Sequence, residues 1–324
     1  MSNQIPHIWK TVCREPWAIE ESKLAEIIEV LRLKAEGADI GPYAAREKPE
    51  PSRQGAIAVL PVFGLLSKRA NMMTDFSGGT SIQKLTSHFR QAVRDPEVAS
   101  ILLQVDSPGG GVFGVSEFAD EIFKARGKKR IVALADDVAA SAAYWIATAA
   151  EEFVMTPSAK AGSIGVFAVH EDASGLHEKV GIKHTIISAG KFKTEGNEFE
   201  PLTEEARAFM QSEVDRYYGM FILAVARNRG VKVADVLSGF GQGRALGAPQ
   251  AVKEGMADWI GTFDDVIGEM ATGKTRKSMI MAKDEILRGE SPIASAKRIL
   301  STAEIEAREY WSKEVYADEP KSDG

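Results

Sequence analysis

The stretch Asp137-Val-Ala-Ala-Ser-Ala-Ala-Tyr-Trp-Ile-Ala147 places a single hydroxyl, that of Ser141, at the start of an apolar run. The preceding Ile131-Val-Ala-Leu-Ala135 is typical of a strand, and the residues from Ala142 onward are typical of a buried helix. The first N–H groups of a helix have no partner within it, so they would lie beside the Ser141 hydroxyl. A catalytic nucleophile would sit at such a place. A serine there can also be a simple helix cap, so residues elsewhere in the chain must decide.

Composition limits the classes of function. The 324 residues are 44% hydrophobic, enough for one substantial core with flanking segments. A formal charge of −6 and the lack of a Lys/Arg-rich block disfavour a nucleic-acid binder, so we expect protein partners. Cys13 is the only cysteine, which excludes an internal disulfide and indicates a plain free thiol in a cytoplasmic setting.

No part of the sequence has the pattern of a membrane segment. The longest apolar run, residues 138–150, is shorter than the roughly 18 residues that a membrane span needs. The N-terminus also lacks the pattern of a signal peptide. We therefore expect a chain without a membrane span.

The chain divides into three parts. Residues 1–55 are predicted to form an arm, an amphipathic helix that starts near Ser22, and a Pro-rich linker, with residues 1–19 too polar and broken for a core element. Residues 56–270 are predicted to form one domain. Residues 271–324 are predicted to be a linker and a charged helical extension.

The central domain alternates between strand-like and helix-like segments. This order predicts a largely parallel, layered α/β domain. The predicted strands are 57–62, 101–105, 131–135, 153–155, 164–169 and 185–187, and the predicted helices include 82–93, 115–125, 176–180 and one that begins after Thr203.

Three consecutive glycines follow the second predicted strand, in Ser107-Pro-Gly-Gly-Gly111. Glycines allow the backbone to turn tightly and to present N–H groups to an incoming carbonyl oxygen, as in an oxyanion hole. A simple strand-to-helix turn explains the same residues equally well. A phosphate cradle is disfavoured because no Gly-Lys-Ser/Thr follows.

A lysine could supply the base that a serine nucleophile needs. Burial can lower the pKa of a lysine toward neutrality, and Ser-Lys pairs are a known variant of the catalytic triad. Lys191 and Lys193 lie together in Gly190-Lys-Phe-Lys193, although solvated loop charges are the commoner role of lysine. His170 is better explained as a surface or loop residue than as a triad member or metal ligand, because no second histidine lies at ligand spacing.

Four motifs in the same order resemble those of the S49 serine peptidases, the group that contains signal peptide peptidase A. They are 103–111, the Ser141 helix, Gly162-Ser-Ile-Gly165 and Gly190-Lys-Phe-Lys193. In shorter members of that family a lysine 52 residues after the nucleophile is the base, and here that residue is Lys193. A second serine 22 residues after the nucleophile holds the lysine, and here it is Ser163.

The resemblance implies further properties. These are a ClpP/crotonase-like spiral of ββα units, with helical N- and C-terminal appendages in this chain, assembly into a homo-oligomeric ring, and catalysis without a cofactor or a metal. It also implies an oxyanion hole made by the glycine turn, which we assign to Gly110, and by the amide of Ala142.

The flanking segments resemble those of the phage prohead proteases in this family. That resemblance implies scaffold, portal or capsid proteins as substrates and the host cytoplasm or procapsid interior as the location. Three alternatives stay open: a cytoplasmic protease similar to signal peptide peptidase, an acyl-CoA enzyme of the crotonase fold, and an assembly factor with a vestigial site.

Overall fold

The computed structural model describes residues 12–13, 16–35, 49–70, 74 and 78–272. The predicted C-terminal extension therefore lies outside the described residues, apart from 271–272. The strands are β1 (Trp17–Ile19), β2 (Ser52–Gln54), β3 (Ile57–Phe63), β4 (Leu66–Ser67), β5 (Thr80–Ser81), β6 (Ser100–Ser107), β7 (Gly109–Gly111), β8 (Arg130–Ala140), β9 (Glu152–Met155), β10 (Lys160–Gly162), β11 (Ala245–Gly247) and β12 (Trp259–Ile260). The helices are α1 (Glu21–Ala35), α2 (Ile82–Arg94), α3 (Val115–Ala125), α4 (Ala142–Thr148), α5 (Ser174–Lys179), α6 (Glu204–Arg229), α7 (Val233–Ser238), α8 (Ala248–Lys253) and α9 (Phe263–Ala271), with a 3₁₀ turn at Phe240–Gly243.

A largely parallel sheet forms the centre of the described part of the chain. Its main path runs in the order β11-β10-β8-β6-β3-β2, with β9 and β12 attached beside β8. Only the outer pairs, β2 with β3 and β10 with β11, are antiparallel. Strand β8 is long enough to pair with β9 through its first half and with β10 through its second half. This sheet confirms the α/β class.

Both faces of the sheet are covered, as a parallel sheet requires. Alternate residues of β3 belong to different cores, with Ala58 and Leu60 on the larger side and Ile57 and Val59 on the smaller side. The larger core lies under α2, α3, α4 and α6, and the smaller core lies under α9. Helix α4 is therefore held between the sheet and the outer helix α6.

A second, smaller sheet has the strand order β1-β7-β4-β5. Strand β7, which consists only of Gly109–Gly111, pairs in parallel with β4 and antiparallel with β1. The prediction that residues 1–19 are too polar for a core element is therefore wrong for Trp17–Ile19. All three residues of β1 are buried, with Trp17 only 2% exposed. An isolated apolar triplet has no periodicity to reveal it, and its partner strand lies about ninety residues away in sequence.

Two other predicted strands are absent from the described structure. Residues 164–169 contain one isolated bridge, between Trp17 and Phe167, and residues 185–187 form no strand. Ile187 is 94% exposed, so its β-branched side chain has no surface to pack on. Strand preference depends on a neighbouring strand and a buried face, and the sequence pattern does not supply either one. The other predicted strands and helices are confirmed within a few residues at their ends.

Candidate active site

Ser141 occupies a strained turn between β8 and α4. Its backbone has φ 54° and ψ −118°, a conformation that non-glycine residues rarely adopt and that costs on the order of 1–3 kcal/mol. The Ser141 N–H donates to the Gly162 carbonyl at 2.7 Å, and the Ser141 carbonyl accepts from the Trp145 N–H at 2.9 Å. These two bonds fix the residue on both sides.

The Ser141 side chain does not act as a helix cap. Its hydroxyl makes no capping hydrogen bond to α4 and lies 3.4 Å from the Gly165 carbonyl oxygen. The residue is only 1% exposed. The structure therefore does not contain the simple helix cap that the sequence left open. The first N–H groups of α4, which have no partner within the helix, lie beside the hydroxyl.

Aromatic contacts hold helix α4 in place. Trp145 stacks on Phe221 of α6 with ring centroids 4.7 Å apart and planes within 8°. Tyr144 packs edge-on against Phe153 and donates its hydroxyl to the Met256 carbonyl at 3.0 Å. Burial raises the pKa of Tyr144, so this hydroxyl keeps its proton and its hydrogen bond. All seven residues of the helix are buried.

The C-terminal end of α4 is capped by Arg126. Its guanidinium donates to the carbonyls of Thr148, Ala149 and Ala150 at 2.6–2.9 Å. Burial, followed by the charge of Arg229, lowers the pKa of Arg126 to about 10, which still leaves it charged at neutral pH. A cation at a helix C-terminus is favoured by the helix dipole. The helix that carries Ser141 is therefore fixed at both ends.

Ser163 lies beside Ser141 through the pairing of β8 with β10. In this pair Ala140 lies opposite Gly162, so each serine follows directly on a paired residue. Ser163 also has a positive φ of 52°, and its N–H donates to the Arg244 carbonyl at 3.0 Å. The structure thus brings together two of the predicted site residues, and both have unusual backbone conformations.

The glycine strand β7 approaches the Ser141 turn from the other side. A Cβ on Gly109 would lie 3.0 Å from the Ala140 carbonyl oxygen, and a Cβ on Gly110 would overlap Leu66 of β4. Glycine is required at both positions by these close backbone contacts. The Gly109 N–H donates to the Ser107 hydroxyl oxygen at 3.1 Å, and the Ser107 hydroxyl donates to the Gly64 carbonyl at 2.6 Å.

No hydrogen bond joins Lys193 to Ser141 in the described structure. Lys193 lies exposed in a turn between residues 190 and 196, and its side chain forms no hydrogen bond or ion pair with any residue that the structure describes. The neighbouring Lys191 is also exposed and pairs with Glu205 of α6 at 3.0 Å. The Ser-Lys pair therefore stays a prediction from the spacing of the two residues.

The remaining candidates have ordinary surroundings. His170 is half-buried, with its Nε2 3.4 Å from the Asn197 carbonyl oxygen. Burial raises the pKa of the Cys13 thiol, and the nearby charge of Glu171 adds to the effect, so the thiol is protonated and unreactive.

Within the described ranges no cluster of histidine, cysteine or carboxylate side chains could hold a metal ion. None of the helices described there combines the length and hydropathy that crossing a bilayer requires.

Comparison with known proteins identifies the class. Residues 123–277 match the model of peptidase family S49, a range that contains Ser141, Ser163 and Lys193. The resemblance to family S49 is thereby confirmed.

Curated relatives include two phage proteins. The chain is 37% identical over 216 residues to the head-tail preconnector protein GP5 of Enterobacteria phage P21, covering 67% of this chain and 43% of that protein. It is 35% identical over 238 residues to the capsid assembly protease C of Escherichia phage lambda, covering 74% of this chain and 53% of that protein. The chain thus spans about half the length of these curated relatives.

Solved structures that align with the chain include a ClpP protease and an enoyl-CoA hydratase. ClpP1 from Listeria monocytogenes aligns with a TM-score of 0.40 at 14% identity, covering 64% of this chain and 94% of that one. An enoyl-CoA hydratase from Polaromonas aligns with a TM-score of 0.42 at 13% identity, covering 79% of this chain and 90% of that one.

Sequence reasoning missed the roles of some residues that shape the site. Ser107 and Gly165 lie in motifs quoted above, but the sequence did not show that Ser107 positions the glycine strand or that Gly165 accepts the Ser141 hydrogen bond. Arg126, which caps the Ser141 helix, was not singled out, because no local pattern marks a contact so distant in sequence. Strand β1 was also missed, because the apolar triplet between Pro16 and Glu20 is too short to have a periodicity that indicates a strand.

Proposed function

We propose that the chain is a serine endopeptidase in which Ser141 is the nucleophile and Lys193 is the general base. The observation that supports this most strongly is the Ser141 turn. A buried hydroxyl on a strained backbone, beside the free N–H groups of a helix and a strand of glycines, is an arrangement suited to attack on a peptide carbonyl. The match to family S49 over this region supports the same conclusion.

In the proposed reaction, the Ser141 oxygen attacks the scissile carbonyl carbon and neutral Lys193 accepts the serine proton. Lys193 then passes that proton to the leaving amine as the C–N bond breaks. Water hydrolyses the resulting acyl-enzyme and restores the serine. Ser163, next to Ser141 through the β8–β10 pairing, is proposed to orient the lysine. The reaction needs no cofactor.

The oxyanion is proposed to be stabilised by the backbone N–H groups of Gly110 and Ala142. Of the neighbouring glycines, Gly109 already donates its N–H to Ser107. Alternate residues of a strand direct their N–H groups to the same side, and the Val112 N–H donates toward β1, so the Gly110 N–H faces that side too. Ala142 supplies a first-turn N–H of α4, which has no partner within the helix.

Lys193 must move to act, and the surface around it suggests how. Several large apolar side chains in this part of the chain are exposed: Leu176, Val180, Ile182, Ile187, Phe192 and Phe209. We propose that this apolar face packs against another copy of the chain in a homo-oligomeric ring. Packing would exclude water from the segment that carries Lys193 and allow its amine to reach the serine.

The proposed substrates are scaffold, portal or capsid proteins of a phage, cut during head assembly. This proposal rests on the capsid assembly protease C and GP5 relatives, whose names refer to capsid assembly and the head-tail connection. The corresponding location is the host cytoplasm or the procapsid interior. The segments outside residues 56–270 are proposed to direct the protease to its substrates.

Mass spectrometry after co-expression with neighbouring genes tests this function. The wild-type chain is expected to produce specific fragments of a co-expressed capsid or scaffold protein, and the Ser141→Ala chain is expected to produce none. Identical fragments from both chains would contradict a protease. Turnover of an acyl-CoA thioester without reaction toward a serine-directed fluorophosphonate would instead indicate the crotonase-type alternative.

A further inference from the structure

Strand β1 is hydrogen-bonded along both of its edges. On one edge it pairs antiparallel with the glycine strand β7, with Ala18 opposite Gly110. On the other edge the Trp17 N–H donates to the Phe167 carbonyl at 2.7 Å, and the Phe167 N–H donates to the Trp17 carbonyl at 3.0 Å. The strand therefore fills a cleft between β7 and the segment around Phe167, which we call the β7–Phe167 cleft.

This cleft runs past the nucleophile. A Cβ on Gly109 would lie 2.2 Å from the Ala18 carbonyl oxygen, 3.1 Å from the Ile19 Cα and 3.0 Å from the Ala140 carbonyl oxygen. The peptide bond between Ala18 and Ile19 is thus adjacent to the residue that precedes Ser141.

The hydrogen-bond register gives the same position. The Val112 N–H donates to the Pro16 carbonyl, and the Glu20 N–H donates to the Pro108 carbonyl. Between these two bonds, alternation places the Ala18 carbonyl opposite the Gly110 N–H, the donor assigned to the oxyanion hole. The Ala18 carbonyl therefore takes the place that a scissile carbonyl would take.

We propose that the β7–Phe167 cleft is the substrate-binding site for an extended peptide, and that residues 16–20 fill it as a built-in inhibitor with the Ala18–Ile19 bond at the nucleophile. This inference rests on the proposed function. It adds the binding mode, in which a substrate strand is added antiparallel between β7 and Phe167, and a means of control.

The inhibitor is held by a small apolar cluster of its own. The buried members Val12, Trp17, Ile19, Leu24 and Leu65 pack together with Ile27, Ile28, Phe167 and Val169, apart from the two cores of the main sheet. Only Ala18 of β1 contacts the larger core. Strand β1 has only three residues, and the apolar cluster that anchors it is separate from both cores of the main sheet. It can therefore leave without unpacking the main sheet. The exposed position of Lys193 keeps the Ala18–Ile19 bond from being cut while β1 is seated.

A reversible lock tests the proposal directly. Trp17 and Phe167 exchange both backbone hydrogen bonds, so their Cα atoms are about 5.5 Å apart, within the range that a disulfide spans. The variant Trp17→Cys/Phe167→Cys is made in a Cys13→Ser background. Oxidation is expected to reduce hydrolysis of fluorescent casein at least about tenfold below the reduced form. The single Trp17→Cys variant, treated identically, controls for the oxidant.

A variant that weakens the anchoring of β1 tests whether release of the strand raises activity. Leu24→Ala removes an apolar anchor of α1 and β1 without touching the proposed catalytic groups, and casein hydrolysis is expected to rise about tenfold. Met270→Ala makes a comparable cavity in the smaller core under α9 and is expected to leave hydrolysis unchanged. Equal rates in the oxidised and reduced lock, or equal effects of Leu24→Ala and Met270→Ala, would overturn the proposal.

Two further experimental outcomes distinguish a failure of this inference from a failure of the proposed function. Failure of every form, including reduced and loosened ones, to hydrolyse casein or to react with a fluorophosphonate would count against the protease itself. Hydrolysis that the lock does not change would count against the inhibitor alone. The intact mass of purified wild-type chain is expected to show no cut between Ala18 and Ile19, and a cut there would make β1 a substrate and overturn its role as an inhibitor.

Discussion

The turn around Ser141 and the segment around Lys193 are built in opposite ways. Ser141 is 1% exposed and fixed by backbone hydrogen bonds on both sides, and its helix is capped by Arg126 and stacked on Phe221. Lys193 is exposed and lies in a turn, in a segment of the chain that also has exposed apolar side chains such as Phe192 and Ile187.

The difference separates what the fold provides from what assembly must provide. The proposed nucleophile Ser141 and the glycine strand are positioned by the two sheets, so a single copy of the chain already holds them. The proposed base Lys193 is not held in this way, and in our proposal it reaches the serine only when its segment packs against another copy. On this account a single, unassembled copy of the chain is inactive, and the activities predicted below are those of the proposed homo-oligomer.

The largest expected effect comes from removing either member of the Ser-Lys pair. Ser141→Ala and Lys193→Ala should each lower kcat/KM for casein by about 10⁴-fold or more, and the double variant should be hardly worse, because the two residues act as one unit. Lys191→Ala is the matched control, since Lys191 lies two residues away and its contacts, an ion pair with Glu205 and a cation–π contact with Phe192, are exposed. Loss of activity in Lys191→Ala with retention in Lys193→Ala would reverse the assignment.

A smaller effect is expected from Ser163, a positioning residue. Ser163→Ala should reduce kcat roughly 10–100-fold with little change in KM, because the lysine loses an orienting hydroxyl. The measurement is steady-state kinetics on casein. An unchanged kcat, or a raised KM with kcat preserved, would remove Ser163 from its proposed positioning role.

A substitution of Arg126 tests whether the fold itself holds the helix that carries Ser141. Arg126→Ala leaves three carbonyls at the end of α4 without a partner, so the free energy of unfolding should fall by about 2–4 kcal/mol in urea titrations. Arg90→Ala removes an exposed pair with Glu121 and should leave the midpoint nearly unchanged. Equal midpoints for the two variants would show that the cap does not hold the nucleophile helix.

The smallest expected effect concerns the C-terminal segment. Removal of Thr272 to Gly324 should leave hydrolysis of unfolded casein nearly unchanged while weakening co-purification with a capsid or scaffold protein. Loss of casein hydrolysis by a truncated chain with a normal circular dichroism spectrum would show that this segment completes the active site.

The sequence predicted the α/β class and the helix at Ser141 because their patterns are local. Runs such as Ile131–Ala135 and the buried stretch after Ser141 have a hydrophobic pattern that can be recognised without knowing their tertiary contacts. The position of Lys193 relative to Ser141 could not be predicted, since a spacing of 52 residues gives no geometry. Strand β1 and the Phe167 bridge depend on partners far apart in sequence, and the strained φ of Ser141 and Ser163 has no sequence signature.

The most direct test of the central claim is peptide mapping after reaction with a serine-directed fluorophosphonate. The account predicts one adduct, on Ser141, formed by the wild-type and Lys191→Ala chains at similar rates, much more slowly by Lys193→Ala, and not at all by Ser141→Ala. An adduct on another serine, or a Lys193→Ala chain that reacts as fast as wild type, would contradict it.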